Sequence, residues 1–268
     1  MEEHEIEGRE RTLREWFTRR TTGERTAVDG LDIGWGGVQR WATSRMPDLA
    51  SGRHLDFACG YATFLAQLGW RFPEARLVGL NIDFEGAHAL AGPLLREAGV
   101  RAELVQGDAR GMPFPDACFD SVSCFMGLQD IEIAFGEQGV RQSLLESVRV
   151  VRSPGTVCLL DEYPRERFEG LVRGAGLSVR DLAARELDVK WDRATTECAL
   201  SLYARGWLEQ RRLGGSETAT DEAAGYAHRL RAEAERQLSS RGYYVPFGPV
   251  RIVICEKAGD APGENSLG

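Results

Sequence analysis

Apolar residues alternate along the chain between short continuous blocks and longer stretches with helical spacing. The blocks have strand length and end at glycine, polar or acidic residues, and the stretches between them are typical of amphipathic helices. The predicted strands cover about residues 54–57, 76–83, 102–106, 121–126, 156–161, 177–188 and 250–255. Predicted helices fill residues 5–20, 38–43, 63–68, 85–98, 139–152, 165–175, 191–213 and 222–241. Strands alternating with helices predict an α/β fold, a mostly parallel sheet with helices on both faces.

The turn after the first strand has an unusual composition. Asp56 is followed by three small residues at positions 58–60, Ala58, Cys59 and Gly60, and a helix opens at Thr63. Small side chains let a ligand lie against backbone, and a helix N-terminus offers unpaired N–H groups. A phosphate-binding turn has the pattern G-x-G-x-x-G, whereas Asp56 would repel a phosphate. The turn therefore predicts a cationic or zwitterionic ligand.

A second buried strand ends about twenty residues later, the separation expected across a strand-helix-strand unit. It carries Asn81, Ile82 and Asp83 at its end. Asn81 can donate and accept hydrogen bonds but lacks the charge-assisted grip of a carboxylate. Asp83 lies on the same side of an extended chain, two residues on. We favour Asn81 as a ligand contact here and keep Asp83 as the alternative.

Three further segments complete the pattern: Gly107-Asp108-Ala109, the run from Met112 to Asp120, and the run from Glu146 to Gly155. Together with the first two strands, these segments resemble the ordered motifs of the class I S-adenosylmethionine-dependent methyltransferases. The resemblance extends from Leu55 to about Tyr163. Ala58 and Ala62 stand where that family usually has glycine, and Asn81 stands where it usually has an acidic residue.

The resemblance implies a Rossmann-like seven-stranded sheet whose final strand is antiparallel between the fifth and sixth. It implies S-adenosyl-L-methionine as cofactor, with Asn81 or Asp83 on the ribose and Asp108 on the adenine amino group. The cofactor-binding residues that follow from it are Asp56, Ala58, Cys59, Gly60, Asn81, Ile82, Asp83, Asp108, Ala109 and Phe125.

The catalytic group is not determined by the sequence, because a general base is needed only when the acceptor must lose a proton. Many relatives carry a histidine near the end of the fourth strand, where this chain has Gln129, which cannot act as a base. The candidates are Asp130, Glu132, Tyr163 and His228, with Asp161 and Glu162 also possible. For each, a structural role competes with catalysis, and His228 lies in a polar helical stretch typical of a protein surface.

Composition excludes several classes of function. The net charge of −8 and the absence of a dense basic run argue against a nucleic-acid partner. No apolar run approaches the ~20 residues that span a bilayer. The six cysteines and four histidines lack metal-ligand spacing, so we expect no metal site. Scattered cysteines and an acidic N-terminus favour a cytoplasmic protein with reduced thiols.

The chain divides into five predicted segments. An N-terminal helical cap covers 1–50, the cofactor-binding core 51–190, a helical insertion 191–241, the final strand 242–257 and a disordered tail 258–268. The insertion replaces a short hairpin and reads either as a lid over the acceptor or as an interface in a homo-oligomer. In the cap, Trp35 between glycines is a candidate for a mobile lid. Trp16 and Phe17 fit either a helix that closes over the site or a helix anchored on the sheet.

The leading hypothesis is a methyltransferase that transfers a methyl group to a small-molecule acceptor by direct in-line displacement. One alternative is a cofactor-binding regulatory or scaffold protein without transfer activity, which the departures at Ala58, Ala62, Asn81 and Gln129 would permit. Another is an enzyme of the same fold with different chemistry, such as an aminopropyltransferase. The sequence does not distinguish an oxygen, nitrogen, carbon or sulfur acceptor.

Overall fold

A computed structural model describes residues 3–20, 36–86, 88–187 and 189–257. Seven strands form one sheet in the order β3-β2-β1-β4-β5-β7-β6. The strands are β1 (Arg53–Phe57), β2 (Arg76–Asn81), β3 (Ala102–Gln106), β4 (Phe119–Phe125), β5 (Val151–Asp161), β6 (Leu177–Arg185) and β7 (Val250–Lys257). The β7 strand pairs antiparallel with both β5 and β6, and the other pairs are parallel. The Rossmann-like, mostly parallel sheet predicted from the sequence is confirmed.

Eight helices lie within the described ranges. They are α1 (Glu3–Thr18), α2 (Gly36–Arg45), α3 (Thr63–Arg71), α4 (Ala91–Glu97), α5 (Leu128–Val150), α6 (Arg165–Gly174), α7 (Arg193–Leu213) and α8 (Ala219–Arg241). The first two precede the sheet, and α7 and α8 form the insertion between β6 and β7. Both features of the predicted fold, the N-terminal helices and the helical insertion before the last strand, are confirmed.

The central strands direct apolar and polar side chains to opposite faces of the sheet. Leu55 and Phe57 of β1 belong to the core on one face, and His54 and Asp56 point the other way because side chains alternate along a strand. Both polar side chains are fully buried. The sheet therefore buries two ionisable side chains, His54 and Asp56, on the face opposite Leu55 and Phe57.

Two helices differ from the sequence prediction. The helix expected over 85–98 is only α4, because the Asp83 carboxylate accepts the Glu85 and Gly86 N–H groups at 2.7 and 2.9 Å and folds that stretch into a turn. The helix expected over 139–152 begins earlier, at Leu128. It is interrupted at Gly136, whose φ of 69° is easily adopted by glycine. Because of this kink, the helical spacing of apolar residues does not continue across Gly136, and the sequence pattern predicted only the second half of the helix.

The N-terminal helix α1 packs through an apolar face against α4 and the β1 turn. Leu13, Trp16 and Phe17 are buried, and the Phe17 ring meets the Tyr61 ring edge-on at a centroid distance of 5.2 Å. Trp35 and the tail at 258–268 lie outside the described residues. Across the described ranges, no helix combines the length and apolar content needed to span a bilayer.

Candidate functional site

The turn after β1 keeps a glycine-like backbone although two of its positions are alanine. Ala58, Gly60 and Ala62 have φ values of 53°, 50° and 64°, in the left-handed region that disfavours a side chain. A Cβ at Gly60 would meet the His88 ring at 3.8 Å. Ala58 and Ala62 therefore keep the left-handed backbone that glycine adopts freely at these positions in the resembling family. The turn remains open to a ligand.

Asp56 belongs to a chain of four buried polar side chains across β1 and β4. Ser123 Oγ donates to Asp56 Oδ1 at 2.6 Å, and the two His54 ring nitrogens lie 2.7 Å from Ser121 Oγ and 2.9 Å from Ser123 Oγ. Burial raises the pKa of Asp56 to about 7, partly opposed by the Ser123 hydrogen bond. Burial also lowers the pKa of His54 to about 3, so the imidazole is neutral.

The other carboxylate oxygen of Asp56 is the chemically informative atom. Oδ2 is buried and has no hydrogen-bond partner, although buried polar atoms are normally paired. Asp56 also lines a cavity at the carboxyl edge of the sheet. An unpaired, buried carboxylate oxygen beside an open backbone turn fits the positive end of a zwitterionic ligand.

At the end of β2, the side chains of Asn81 and Asp83 have different hydrogen-bond partners. Asn81 is buried, and its Nδ2 donates to the Asp83 carbonyl and lies 3.0 Å from His88 Nδ1. The Asp83 carboxylate accepts backbone N–H groups of its own turn. Ile82 follows Asn81 and is partly buried. The amide of Asn81 is held toward His88, whereas the Asp83 carboxylate is already occupied.

Asp108 is held by a cation two residues away. Arg110 Nε lies 3.1 and 3.0 Å from the two carboxylate oxygens, and its guanidinium stacks on the Phe135 ring 3.4 Å from the centroid. Partial burial would raise the pKa of Asp108, but the hydrogen bonds from Arg110 outweigh it and the pKa is lowered. Ala109, between the two, is partly buried. The Asp108 carboxylate is therefore ionised, and Arg110 fixes its orientation.

The ends of β4 and β5 form the remaining wall. Phe125 stacks on Phe64 at a centroid distance of 4.7 Å. Asp161 ends β5 and accepts the N–H groups of Leu128 and Gln129 at 3.0 and 3.3 Å, so it caps the start of α5 from a neighbouring strand. Burial raises the pKa of Asp161 to about 6, partly opposed by these N–H groups and by that of Glu162.

These walls enclose an inner chamber of about 590 Å³. Its sheet side includes five of the residues predicted to bind cofactor: Asp56, Ala58, Cys59, Gly60 and Phe125. The opposite side belongs to the insertion and the segment after it, with Leu202, Tyr203, Gly206, Trp207, Tyr226, Leu230, Tyr244, Pro246 and Phe247. One continuous cavity thus joins the β1 turn to an aromatic wall.

Beside the chamber lies a shallower outer cleft of about 460 Å³. Gln129, Ile133, Glu162 and Trp207 line both cavities. Burial, followed by the charge of Asp161, raises the pKa of Glu162 to about 7. Its Oε1 is buried and accepts no hydrogen bond, so Glu162 resembles Asp56 in carrying a carboxylate oxygen with no partner.

The four catalytic candidates predicted from the sequence lie in different places. Tyr163 donates to Glu132 at 2.7 Å, and Arg167 also pairs with Glu132, so these residues form an ion-paired cluster at the outer cleft. Asp130 lines the inner chamber. His228 lies on the exposed side of α8 and does not line either cavity. Within the described ranges, no three potential ligands gather into a metal site.

Sequence reasoning missed two parts of the site. His88 contacts Asn81 and meets Tyr61 at a ring distance of 5.0 Å, in a stretch read as helix. The buried polar chain was also missed, although polar residues at alternate positions of apolar strands, His54 with Asp56 and Ser121 with Ser123, are a readable signal.

Comparison with known proteins agrees with this geometry. Residues 55–155 match the family described as methyltransferase domain. A demethylmenaquinone methyltransferase of Roseiflexus castenholzii is 36% identical over 139 residues, which cover 51% of this chain and 53% of that protein. The chain thus spans about half the length of the curated relatives it matches.

Solved structures extend the similarity to the whole fold. The [4+2]-cyclase SpnF has a TM-score of 0.55 at 15% identity, covering 84% of this chain and 81% of that one. Geranyl diphosphate C-methyltransferase of Streptomyces coelicolor, solved with S-adenosyl-L-homocysteine, has a TM-score of 0.52 at 10% identity and covers 88% and 84%. At sequence identities of 10–15%, the similarity to these two structures shows the fold alone. Residues 55–155 match a methyltransferase domain, which confirms the resemblance to the class I S-adenosylmethionine-dependent methyltransferases seen in the sequence.

Proposed function

We propose that the protein is an S-adenosyl-L-methionine-dependent methyltransferase that acts on a small molecule bound between the sheet and the insertion. The observation that carries this proposal is the inner chamber, which joins the β1 turn to the aromatic wall of α7 and α8. A donor site and an acceptor site in one cavity are what direct transfer requires, because the reacting atoms must be held within contact distance.

The residues of the donor side fit the cofactor. The unpaired Oδ2 of Asp56 suits the ammonium group of its methionine part, and the left-handed turn at Ala58 and Gly60 leaves backbone open to it. Asn81, with Ile82, takes the ribose in preference to Asp83, and Asp108 with Ala109 takes the adenine. When bound, the cofactor supplies a methyl group on a positively charged sulfur, which makes that carbon electrophilic.

The acceptor side favours an apolar, ring-bearing molecule. Trp207 stacks on Tyr226 at a centroid distance of 5.3 Å with ring planes 16° apart, and both line the chamber. Aromatic faces of this kind bind flat apolar groups through buried area and stacking. The family match ends at residue 155, before the insertion begins, so the acceptor class rests on the lining of this chamber.

The remaining assignments follow from the same picture. We place the cap at 1–50, the core at 51–190, the lid at 191–241 and the final strand at 242–257, with the insertion acting as a lid rather than as an oligomer interface. A net charge of −8 disfavours nucleic acid as the acceptor. All six cysteines are free thiols, which supports a cytoplasmic location.

The test separates binding from transfer. Calorimetry with S-adenosyl-L-methionine and S-adenosyl-L-homocysteine measures binding, and mass spectrometry of a small-molecule extract incubated with protein and donor detects products heavier by one methylene. We expect both signals. Binding without any product would favour the scaffold alternative, and no binding would reject the proposal altogether.

A matched pair of variants tests the acceptor side. Trp207→Ala removes an aromatic wall of the chamber, whereas Leu213→Ala removes an exposed side chain from the end of the same helix. We expect Trp207→Ala to raise the acceptor KM roughly tenfold or more, with unchanged affinity for S-adenosyl-L-homocysteine. Equal effects of the two variants would contradict the lid assignment.

A further inference from the structure

Among the residues that the structure describes, Glu162 is the acidic residue that lines both cavities and has a buried oxygen without a hydrogen-bond partner. It follows Asp161 at the end of β5, and its Oε1 has no hydrogen-bond partner. It lines the inner chamber together with Gln129, Trp207 and Tyr226, and it also lines the outer cleft. A carboxylate in that position borders both the chamber and the cleft that opens to solvent.

We propose that Glu162 is the general base of the transfer reaction, and that the acceptor atom therefore carries an exchangeable proton, as a hydroxyl or an amine does. This inference rests on the proposed function. The acceptor gives its O–H or N–H proton to the Glu162 carboxylate. Its lone pair forms the bond to the methyl carbon while the carbon–sulfur bond breaks and its electrons remain on sulfur.

The neighbours of Glu162 suit this role. Asp161 is fixed by the N–H groups of Leu128, Gln129 and Glu162 itself, so the backbone that carries Glu162 is held in place. Across the chamber, the charge of Glu162 contributes to the raised pKa values of Tyr226 and Tyr244, in which burial is the larger cause. These two phenols stay protonated and lie close enough to sense the carboxylate.

Burial and a neighbouring charge explain why Glu162 accepts a proton near neutral pH. Burial and the charge of Asp161 raise its pKa to about 7, and a hydrogen bond from Gln129 opposes the shift. Arg167 and Arg211 line the outer cleft, where Arg167 is paired with Glu132 and Arg211 with Glu222. These two cations of the outer cleft are therefore engaged with other carboxylates, while Arg205 lines the inner chamber. A base with the pKa of Glu162 is matched to neutral conditions.

The outer cleft gives the proton an exit. After transfer, the protonated Glu162 stands between the chamber that holds the product and a cleft open to water. Loss of its proton to solvent in the cleft restores the carboxylate without requiring the chamber to open. The four candidates predicted from the sequence lack this combination. Glu132 and Tyr163 are hydrogen-bonded to each other, Asp130 does not line the outer cleft and His228 is exposed.

The test begins with a measurement that needs no acceptor. Infrared difference spectra of the complex with S-adenosyl-L-homocysteine, taken at about pH 6 and about pH 8, report carboxylic acids through their carbonyl stretch. Subtracting the spectra of Glu162→Gln isolates Glu162 from Asp56 and Asp161. We expect one band present at the lower pH and lost at the higher pH, and we expect it to remain in the control Glu166→Gln, which alters an exposed glutamate of α6.

The second readout is the rate of methyl transfer to the acceptor whose methylated product the extract assay detects. We expect Glu162→Gln to lower kcat roughly 10²- to 10⁴-fold and to abolish the acidic limb of the pH profile. Glu162→Asp should retain the limb, and Glu166→Gln should match the wild type. A missing infrared band overturns the base assignment whatever the transfer assay returns, and so does full activity in Glu162→Gln. Failure of transfer in the wild type rejects the proposed function instead.

Discussion

The alanines of the β1 turn show how one side chain can exclude another. Ala58 has a left-handed backbone, and a Cβ built on Gly127 would lie 2.6 Å from the Ala58 Cβ and 3.0 Å from Cys124 Sγ. Contacts under 3.0 Å force a shift of the neighbouring atoms. The methyl group of Ala58 therefore makes glycine necessary at residue 127, where α5 begins.

This contact predicts a compensating pair. Gly127→Ala should destabilise the protein by about 1–3 kcal/mol through overpacking, and Ala58→Gly should remove part of that cost when the two are combined. Ala58→Gly alone also relieves the left-handed strain, which is worth about 1–2 kcal/mol. Denaturant unfolding of the four proteins in the cycle measures the coupling, expected between roughly 0.5 and 3 kcal/mol. Strictly additive effects would contradict the contact.

The sequence predicts the tight backbone of this turn, but it does not predict which carboxylate oxygens lack hydrogen-bond partners. Small residues at 58 and 62 indicate a tight turn, because their family counterparts are glycines. That Asp56 Oδ2 and Glu162 Oε1 have no partners depends on which side chains the folded sheet places around them. Neither Ser123 nor Gln129 is close to these carboxylates in sequence.

At the scale of elements, the insertion is attached to the core through α5. Arg211 Nη1 donates to the Ile133 carbonyl at 3.0 Å, and Arg211 also pairs with Glu222 of α8 at 2.5 Å. At the end of α7, a Cβ on Gly214 would lie 1.7 Å from the Ala134 carbonyl oxygen. The backbone of α7 thus approaches α5 so closely that only glycine fits.

We expect Gly214→Ala to loosen α7 and α8 from the core. The added methyl must displace the Ala134 carbonyl or the helix end, and the movable partner is the insertion. Amide hydrogen exchange should rise across residues 193–241, while affinity for S-adenosyl-L-homocysteine remains unchanged. The matched control is Gly170→Ala in α6, where a Cβ meets no atom within 4 Å. Unchanged exchange in Gly214→Ala would show that the insertion is held elsewhere.

The existence of the insertion follows from the sequence, whereas its attachment does not. About sixty residues between the last two strands, with helical spacing, exceed any hairpin. The attachment depends on the first half of α5, which the glycine at 136 concealed from pattern reading. The strand order and the antiparallel β7 were predictable because the family motifs occur in their usual order.

For the whole molecule, buried acids determine how stability depends on pH. The pKa of Asp56 and of Glu162 is raised to about 7, mainly by burial. An acid with a raised folded pKa stabilises the protein while protonated, and this contribution is lost as pH rises through that value. His54, whose pKa is lowered to about 3, acts in the opposite direction, mainly below the ordinary histidine pKa of about 6.5.

The unliganded protein should therefore lose stability between about pH 6 and about pH 8. Each of the two acids contributes a slope of up to about 1.4 kcal/mol per pH unit while it is protonated in the folded state. Asp56→Asn removes one of them, so this variant should be more stable than the wild type at the upper end of the range. Denaturant unfolding across the range measures both slopes, and a rising or flat wild-type curve would be inconsistent with the buried acids.

Asp56 is also the residue on which the proposed cofactor site depends. We propose that the cofactor lies at the carboxyl edge of the sheet with its positive charge against this carboxylate. Calorimetric titration of wild type and Asp56→Asn with S-adenosyl-L-methionine at about pH 8 tests this most directly. A charge-assisted contact is worth about 1.5–3 kcal/mol, so the variant should bind roughly ten- to a hundredfold more weakly, and the difference should narrow at about pH 6 as Asp56 gains a proton. Equal affinities at both pH values, or no binding by the wild type, would contradict the account.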